Sequence, residues 1–272
     1  MRYSETCIAK QAVWPVSANG EANRYNTESR IAMKRKIIVA AIFLLTASVL
    51  PASADFLVTV TGTEGNLTAS QQFTIPCDGT GSNWTLPGAV ALTTPHGLSL
   101  GTLSQLQIQS DADPAVNVYF SVQANSSGET FDITTSTLSF PTLSPATAFA
   151  TAAITLTSDT DGATIAGLFP GGKTYEARYN GSTVYADLVS GFSIGPNTSS
   201  TLSERDPLVA PLTNAIPSAS SITAEFDFTL SANEQASGTS RFDVEQGVPE
   251  PATMSLLVMG AMALLAKRKQ RV

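Results

Sequence analysis

Apolar residues in the middle of this chain recur every second position, and no long stretch carries the period of a helix. That alternation constrains the fold most, because successive side chains of a strand point to opposite faces. Val116, Val118, Phe120 and Val122 share one face of a predicted strand, with Asn117, Tyr119 and Ser121 on the other. Ile222, Ala224, Phe226, Phe228 and Leu230 form a second such face, and Thr223, Glu225, Asp227 and Thr229 take the solvated side. Further β-branched and aromatic runs lie at 55–61, 71–75, 130–140, 152–158, 174–179, 183–192 and 240–244. Asp78-Gly79, Asp161-Gly162, Pro170-Gly171-Gly172 and Asn180-Gly181 punctuate them as turns. Asn180-Gly181 predicts a two-residue hairpin, since a type I′ turn needs positive φ at both positions. Segment 221–242 reads as a closing hairpin, and Pro207–Pro217 as a linker or long loop. The expectation is an all-β body: an antiparallel β-sandwich or jelly roll of about nine to eleven strands. A β-helix is the alternative, but no repeat of fixed length supports it.

Charge divides the chain into blocks. The whole sequence of 272 residues has 15 basic and 22 acidic side chains, for a net charge of −7. Asp55–Val248 holds four of the basic and eighteen of the acidic residues, a net of −14. Nucleic acid is therefore not an expected partner. With two cysteines and one histidine, a closed zinc site is not expected either. The basic residues collect at the two ends, and each basic cluster abuts an apolar run.

At the first end, Met33-Lys34-Arg35-Lys36 precedes the apolar run Ile37–Leu50, and then come Pro51-Ala52-Ser53-Ala54 and Asp55. This is a cleavable signal helix over 33–54: basic region, apolar region and small residues at Ala52 and Ala54. Signal peptidase is expected to cut after Ala54, leaving Asp55 as the first mature residue. Residues 1–32 show no apolar periodicity and are expected to be disordered, with translation starting at Met33.

At the other end, Pro249-Glu250-Pro251 breaks the chain, because each proline fixes its own φ and restricts the residue before it. Ala252–Ala266 carries no charge and would span about 22 Å as a helix, short of the ~30 Å hydrocarbon core. Lys267, Arg268, Lys269 and Arg271 hold the end on the cytoplasmic side. The reading is a short C-terminal transmembrane helix over 252–266 with a basic tail over 267–271.

Residues 248–272 resemble the PEP-CTERM sorting signal of Gram-negative bacteria: Pro-Glu-Pro, a short apolar helix and a basic end, in that order. The resemblance implies an exosortase-like membrane enzyme that acts at Pro249-Glu250-Pro251, an inner-membrane intermediate, and delivery to the cell surface or beyond. It also implies association with exopolysaccharide. Tails of this kind also carry the label ice-binding protein C-terminal region, which is a name and no sign of ice binding. Residues 221–242 resemble the FxFxLSxxDxASGTSxF endings of other PEP-CTERM proteins, with Glu234 standing where that pattern has aspartate. The family of the body over 55–247 is not identified by any motif.

Chemistry within the body is sparse. His96 sits in Thr94-Pro95-His96-Gly97, a loop context, and no G-x-S-x-G elbow occurs. Cys77 is the one cysteine of the mature body, expected to be buried or to pair between molecules. Asp159-x-Asp161-Gly162 and Asp111-x-Asp113 resemble fragments of calcium loops, and neither completes one. Tyr175 and Tyr179 fall on one strand face and are the candidate sugar-contacting pair; Trp84, Tyr119 and Tyr185 are further aromatics. Thr59, Thr61 and Thr63 form a single array, too little for an ice lattice. The expected function is that of an exported, non-catalytic surface or matrix protein with no obligatory cofactor. The alternatives are a carbohydrate-binding module and a secreted polysaccharide hydrolase using a carboxylate pair.

Overall fold

The computed structural model describes residues 56–76, 81–111, 113–209 and 213–247. Both terminal signals, Cys77 and the Asp55 cleavage position lie outside them. Among the described residues, no helix is long and apolar enough to cross a membrane.

The described residues form seventeen strands. In order these are β1 (Phe56–Glu64), β2 (Leu67–Ile75), β3 (Gly81–Thr85), β4 (Val90–Thr93), β5 (Ser99–Asp111) and β6 (Ala115–Ala124). Then follow β7 (Glu129–Thr135), β8 (Leu138–Leu143), β9 (Ala146–Thr157), β10 (Ala163–Gly167), β11 (Lys173–Tyr179) and β12 (Thr183–Ser190). The last are β13 (Phe192–Ile194), β14 (Ser199–Asp206), β15 (Asn214–Ile216), β16 (Ala219–Leu230) and β17 (Gln235–Gln246).

They make two antiparallel sheets. The first runs β12-β11-β16-β7-β1-β2, with β8 and β10 attached to β16 and β13 attached to β10. The second runs β14-β9-β17-β6-β5-β3, with β15 on β9 and β4 on β5. Alternation fills the space between the sheets. Ala146, Ala148, Ala150, Ala152, Ile154 and Leu156 of β9 are all buried, and their neighbours along the strand are half-buried or exposed. The small β9 residues face larger ones on β17: Ala150 lies opposite Phe242, and Ala148 opposite Val244. Phe120, Phe131, Phe226 and Phe228 fill the centre, with ring centroids 4.9 Å apart for Phe120–Phe226 and 5.9 Å for Phe131–Phe228. Buried aromatics of this size supply a large part of the apolar area that holds two sheets together.

The sandwich agrees with the expected fold class, and several elements correct the finer expectations. The predicted strand 130–140 is two, β7 and β8. The break falls at Ser136, whose backbone N–H donates to Leu57 O and whose Oγ accepts from Leu57 N at 2.9 Å. The predicted strand 183–192 is also two, β12 and β13, and the break falls at Gly191, whose N–H donates to Gly172 O at 3.0 Å. Asn180 and Gly181 do take positive φ, 51° and 84°, but the turn has three residues, since Tyr179 pairs with Thr183. Part of the supposed linker 207–217 is strand β15.

The closing segment 221–242 is not a hairpin. β16 pairs with β7 and β11 in the first sheet, and β17 pairs with β6 and β9 in the second. Both strands have a full apolar face, and each completes a different side of the core. The chain between them therefore crosses from sheet to sheet.

Candidate functional site

Three other crossings meet that one at the same end of the sandwich. β6 to β7, β9 to β10 and β13 to β14 also change sheet. Hydrogen bonds tie these crossings together. Asn233 N–H donates to Asn125 O at 2.7 Å, Ser158 N–H to Thr198 O at 2.9 Å, and Asn197 N–H to Asp159 O. Ser158 Oγ donates to Gly195 O at 2.6 Å.

At this junction the crossings bring three carboxylates together. Asp159 and Asp161 come from the β9–β10 crossing and Glu234 from the β16–β17 crossing, and one oxygen from each lies within 4.8 Å of the others. The two aspartates are exposed, while Glu234 is 1% exposed. Asp159 N–H donates to Glu234 Oε2 at 3.2 Å, and Asp161 N–H donates to Asp159 Oδ1 at 3.2 Å. Glu234 Oε1 is buried and has no hydrogen-bond partner. The Glu234 backbone is fixed as well, its carbonyl accepting from Ala124 N–H at 3.0 Å.

Electrostatics at the junction are strained by like charge. A hydrogen bond from the Asp161 carboxyl holds Asp159 below its ordinary range, and the same bond, with the Asp159 charge, pushes Asp161 up. Burial, then the Asp159 charge, pushes Glu234 up. Lys173, Arg178 and Arg241 pair instead with Glu204, with Glu176 and Glu225, and with Asp243. No described cation pairs with the three acids.

Two more glutamates share a hollow at the ends of first-sheet strands, Glu64 at the β1–β2 turn and Glu129 after the β6–β7 crossing. The hollow, of about 510 Å³, is also lined by Thr63, Ser127, Thr229 and Ser231. A separate carboxylate row lies on the outer face of the first sheet. Asp187, Glu176 and Glu225 are cross-strand neighbours, and Asp227 lies opposite Asp132. Burial pushes Glu176, Glu225, Asp132 and Asp227 above the ordinary carboxylate range.

The sequence-predicted residues fare unevenly. Asp159 and Asp161 are brought together as expected, and Glu234, 75 residues from Asp159 along the chain, joins them. Its departure from the family pattern was visible in sequence, but only the crossing shows what it faces. Asp111 and Asp113 lie at the β5–β6 turn, apart from this cluster. His96 is exposed in the β4–β5 turn. Tyr175 and Tyr179 do share a face, but it is the core face. Tyr175 is completely buried against Phe226 at 4.8 Å, and Tyr179 packs partly buried on the core. A sealed ring cannot stack on a sugar, so this pair is not a sugar-contacting surface. Tyr185 stacks on Phe242 and donates its hydroxyl to Ala148 O at 2.6 Å, and Trp84 packs against Phe73. Tyr119 is exposed, its hydroxyl donating to Gln105. Ala52, Ala54, Asp55, Pro249, Glu250, Pro251, Lys267, Arg268 and Lys269 lie outside the described residues.

The fold and its charge define an acidic antiparallel β-sandwich that leads directly into a sorting signal. Residues 247–269 match the PEP-CTERM protein-sorting motif. The motif implies processing by an exosortase-like enzyme and export across the membrane to the cell surface or extracellular space. No curated protein matches the chain. Among the solved structures that resemble it faintly are two of infectious bursal disease virus. The Gx-strain chain is 12% identical over 76% of this chain and 61% of its own length, with a TM-score of 0.28. The Gt-strain chain is 12% identical over 82% and 76%, with a TM-score of 0.15. The chain thus spans less than two thirds of the first of these, and neither overlap defines the body.

Proposed function

We propose that this chain is an exported, non-catalytic component of the cell surface or extracellular matrix, held among exopolysaccharide after sorting. The match of residues 247–269 to the sorting motif carries the reading. Signal peptidase acts after Ala54, and an exosortase-like membrane enzyme acts at Pro249-Glu250-Pro251. The character of the sandwich surface supports the rest. Hydroxyl pairs run across its strands: Thr155–Thr201 at 2.7 Å, Thr164–Ser193 at 2.9 Å, Thr157–Ser199 at 3.1 Å and Thr61–Ser70 at 3.2 Å. Such a surface, on a body with a net charge of −14, stays hydrated and repels its own copies.

The test is the intact mass of the protein from its host, measured by cell fraction. A species running from Asp55 to the Pro249–Pro251 region, outside the inner membrane, is expected. A membrane species that keeps Lys267–Val272 would make the chain an ordinary anchored protein and overturn the reading.

A further inference from the structure

We infer that Asp159, Asp161 and Glu234 form a calcium site that staples two of the sheet-to-sheet crossings at one end of the sandwich. This goes beyond the sorting reading and does not depend on it. Three carboxylate oxygens within 4.8 Å of one another are donors for a hard cation, and no histidine or cysteine is among them. An acidic cluster alone would mean little, since exposed turn acids are common. Glu234 is the independent observation. It is 99% buried, Oε2 accepts the Asp159 N–H, Oε1 has no hydrogen-bond partner, and a carboxylate oxygen of this side chain lies within 4.8 Å of both aspartate oxygens. Burying a carboxylate without pairing is costly, and a divalent ion between the three acids removes that cost.

Calcium fits better than magnesium or zinc. The donors sit on loops, and Gly162 at φ 87° lets the β9–β10 loop curl around Asp159 and Asp161. Calcium accepts irregular shells completed by water, whereas magnesium demands a near-ideal octahedron. Zinc sites favour nitrogen and sulfur donors. The site also suits an exported protein. Extracellular calcium modules bind with dissociation constants of about 10⁻⁴–10⁻³ M, so such a site stays unfilled in the cytoplasm and fills outside.

The mechanical consequence follows from the topology. Asp159 and Asp161 lie between β9 of the second sheet and β10 of the first; Glu234 lies between β16 of the first and β17 of the second. Asp159 O also accepts from Asn197 in the β13–β14 crossing, and Glu234 O accepts from Ala124 at the end of β6. An ion bound here therefore resists separation of the two sheets at this end.

The experiment uses the full chain in a non-ionic detergent, stripped with a chelator and then titrated with calcium chloride. Calorimetry reads stoichiometry, and thermal unfolding reads stability. One calcium per chain is expected, with Tm rising by about 4–7 °C at ~10 mM calcium for a dissociation constant of ~0.5 mM. Glu234→Gln keeps an acceptor for Asp159 N–H and should abolish the calcium-dependent rise. Asp161→Asn, at an exposed position that leaves the core intact, should weaken binding at least tenfold. No rise in Tm with calcium overturns the site. An equal rise with magnesium, or in Glu234→Gln or Asp161→Asn, shows only charge screening and overturns it as well.

Discussion

Gly238 lies directly opposite Phe120 in the β6–β17 register, and the Phe120 ring occupies the space a side chain would fill. A Cβ at Gly238 would sit 2.1 Å from that ring. Phe226 and Phe228 pack on the same ring, with centroids 4.9 and 5.9 Å away. The relation explains why the closing segment couples an alternating phenylalanine pair to a glycine ten residues further on. The pair supplies one wall around Phe120 and the glycine supplies the floor. Gly238→Ala should cost about 1–3 kcal/mol, because the ring must leave its rotamer and the core is already full. Denaturant unfolding will measure this, and Phe120→Leu in the same chain should recover part of the loss. A variant as stable as the parent would show that the ring is not confined there.

Glu129 predicts how stability depends on pH. Its side chain faces inward at the end of the core and reaches towards Gly101, where a Cβ would lie 2.3 Å from Glu129 Oε2. It is 3% exposed, and neither oxygen has a well-formed hydrogen bond. Burial pushes its carboxyl up to about 7, the Asn125 backbone opposes the rise, and the Glu64 charge adds to it. The native chain therefore keeps this proton up to about pH 7, while the unfolded chain loses it near 4.5. Native stability falls as pH rises through that window, by up to ~3 kcal/mol for this group. Glu129→Gln removes the penalty. It should stabilise the protein at pH 8 and leave it nearly unchanged at pH 4.5. An equal gap at both pH values would mean that the group does not titrate in this range.

Asp227 and Asp132 face each other across β16 and β7. Burial pushes both carboxyls up, and for Asp227 the Asp132 charge adds to the rise. Like charges in direct cross-strand register cost a few tenths to about 1 kcal/mol. Asp227→Asn should raise the urea midpoint by that amount at pH 7. The gain should disappear once both carboxyls are protonated near pH 3. Since the shifts are upward, the pair weakens the native state with rising pH, and the variant curve should be flatter than the parent's.

Strands whose apolar faces were continuous could be read directly from the sequence. β6, β9, β16 and β17 were placed in whole or part because their apolar residues recur every second position, and β11 because of its β-branched and aromatic run, although four of its residues in a row, 174–177, are buried. β5, the longest strand, escaped notice. A register shift between Leu103 and Gln105 changes its phase, so Leu103 and Leu106 both face the core three residues apart. β14 escaped for the opposite reason. It is an edge strand with half-buried or exposed residues throughout and offers no apolar signal. The candidate site was half legible. Asp159 and Asp161 lie two apart in a turn, whereas Glu234 joins them only because β16 and β17 belong to different sheets. No local pattern separates a hairpin from a crossing when both strands alternate. The same limit misled the reading of Tyr175, since alternation shows which residues share a face but not which face is sealed.

Arg178 governs the carboxylate row on the first sheet. Its guanidinium reaches Glu225 Oε2 at 3.1 Å and also pairs with Glu176. Glu176 is 4% exposed and has Asp187 as its cross-strand neighbour. Burial pushes Glu176 up while the Arg178 charge holds it down; Glu225 is likewise raised by burial and the Asp132 charge and restrained by Arg178. Removing the cation leaves several crowded carboxylates with no described counter-charge beside them. Loss of one partner of a fully buried pair costs about 3–5 kcal/mol. The Arg178 side chain is 36% exposed, so solvent screening reduces the expected loss for Arg178→Ala to about 1–3 kcal/mol at pH 7. The sign with pH follows from the same charges. Without Arg178 the folded-state pKa values of Glu176 and Glu225 rise further above their unfolded values, so the variant loses stability more steeply as pH increases. The deficit should narrow towards pH 4, where the row takes up protons. Arg178→Lys should restore only part of it, because a single ammonium cannot present the planar fork that spans both glutamates. Urea unfolding of the parent and both variants at pH 4, 6 and 8 gives the comparison, and a deficit for Arg178→Ala that is independent of pH would assign the role of Arg178 to packing of its aliphatic stem instead of to charge.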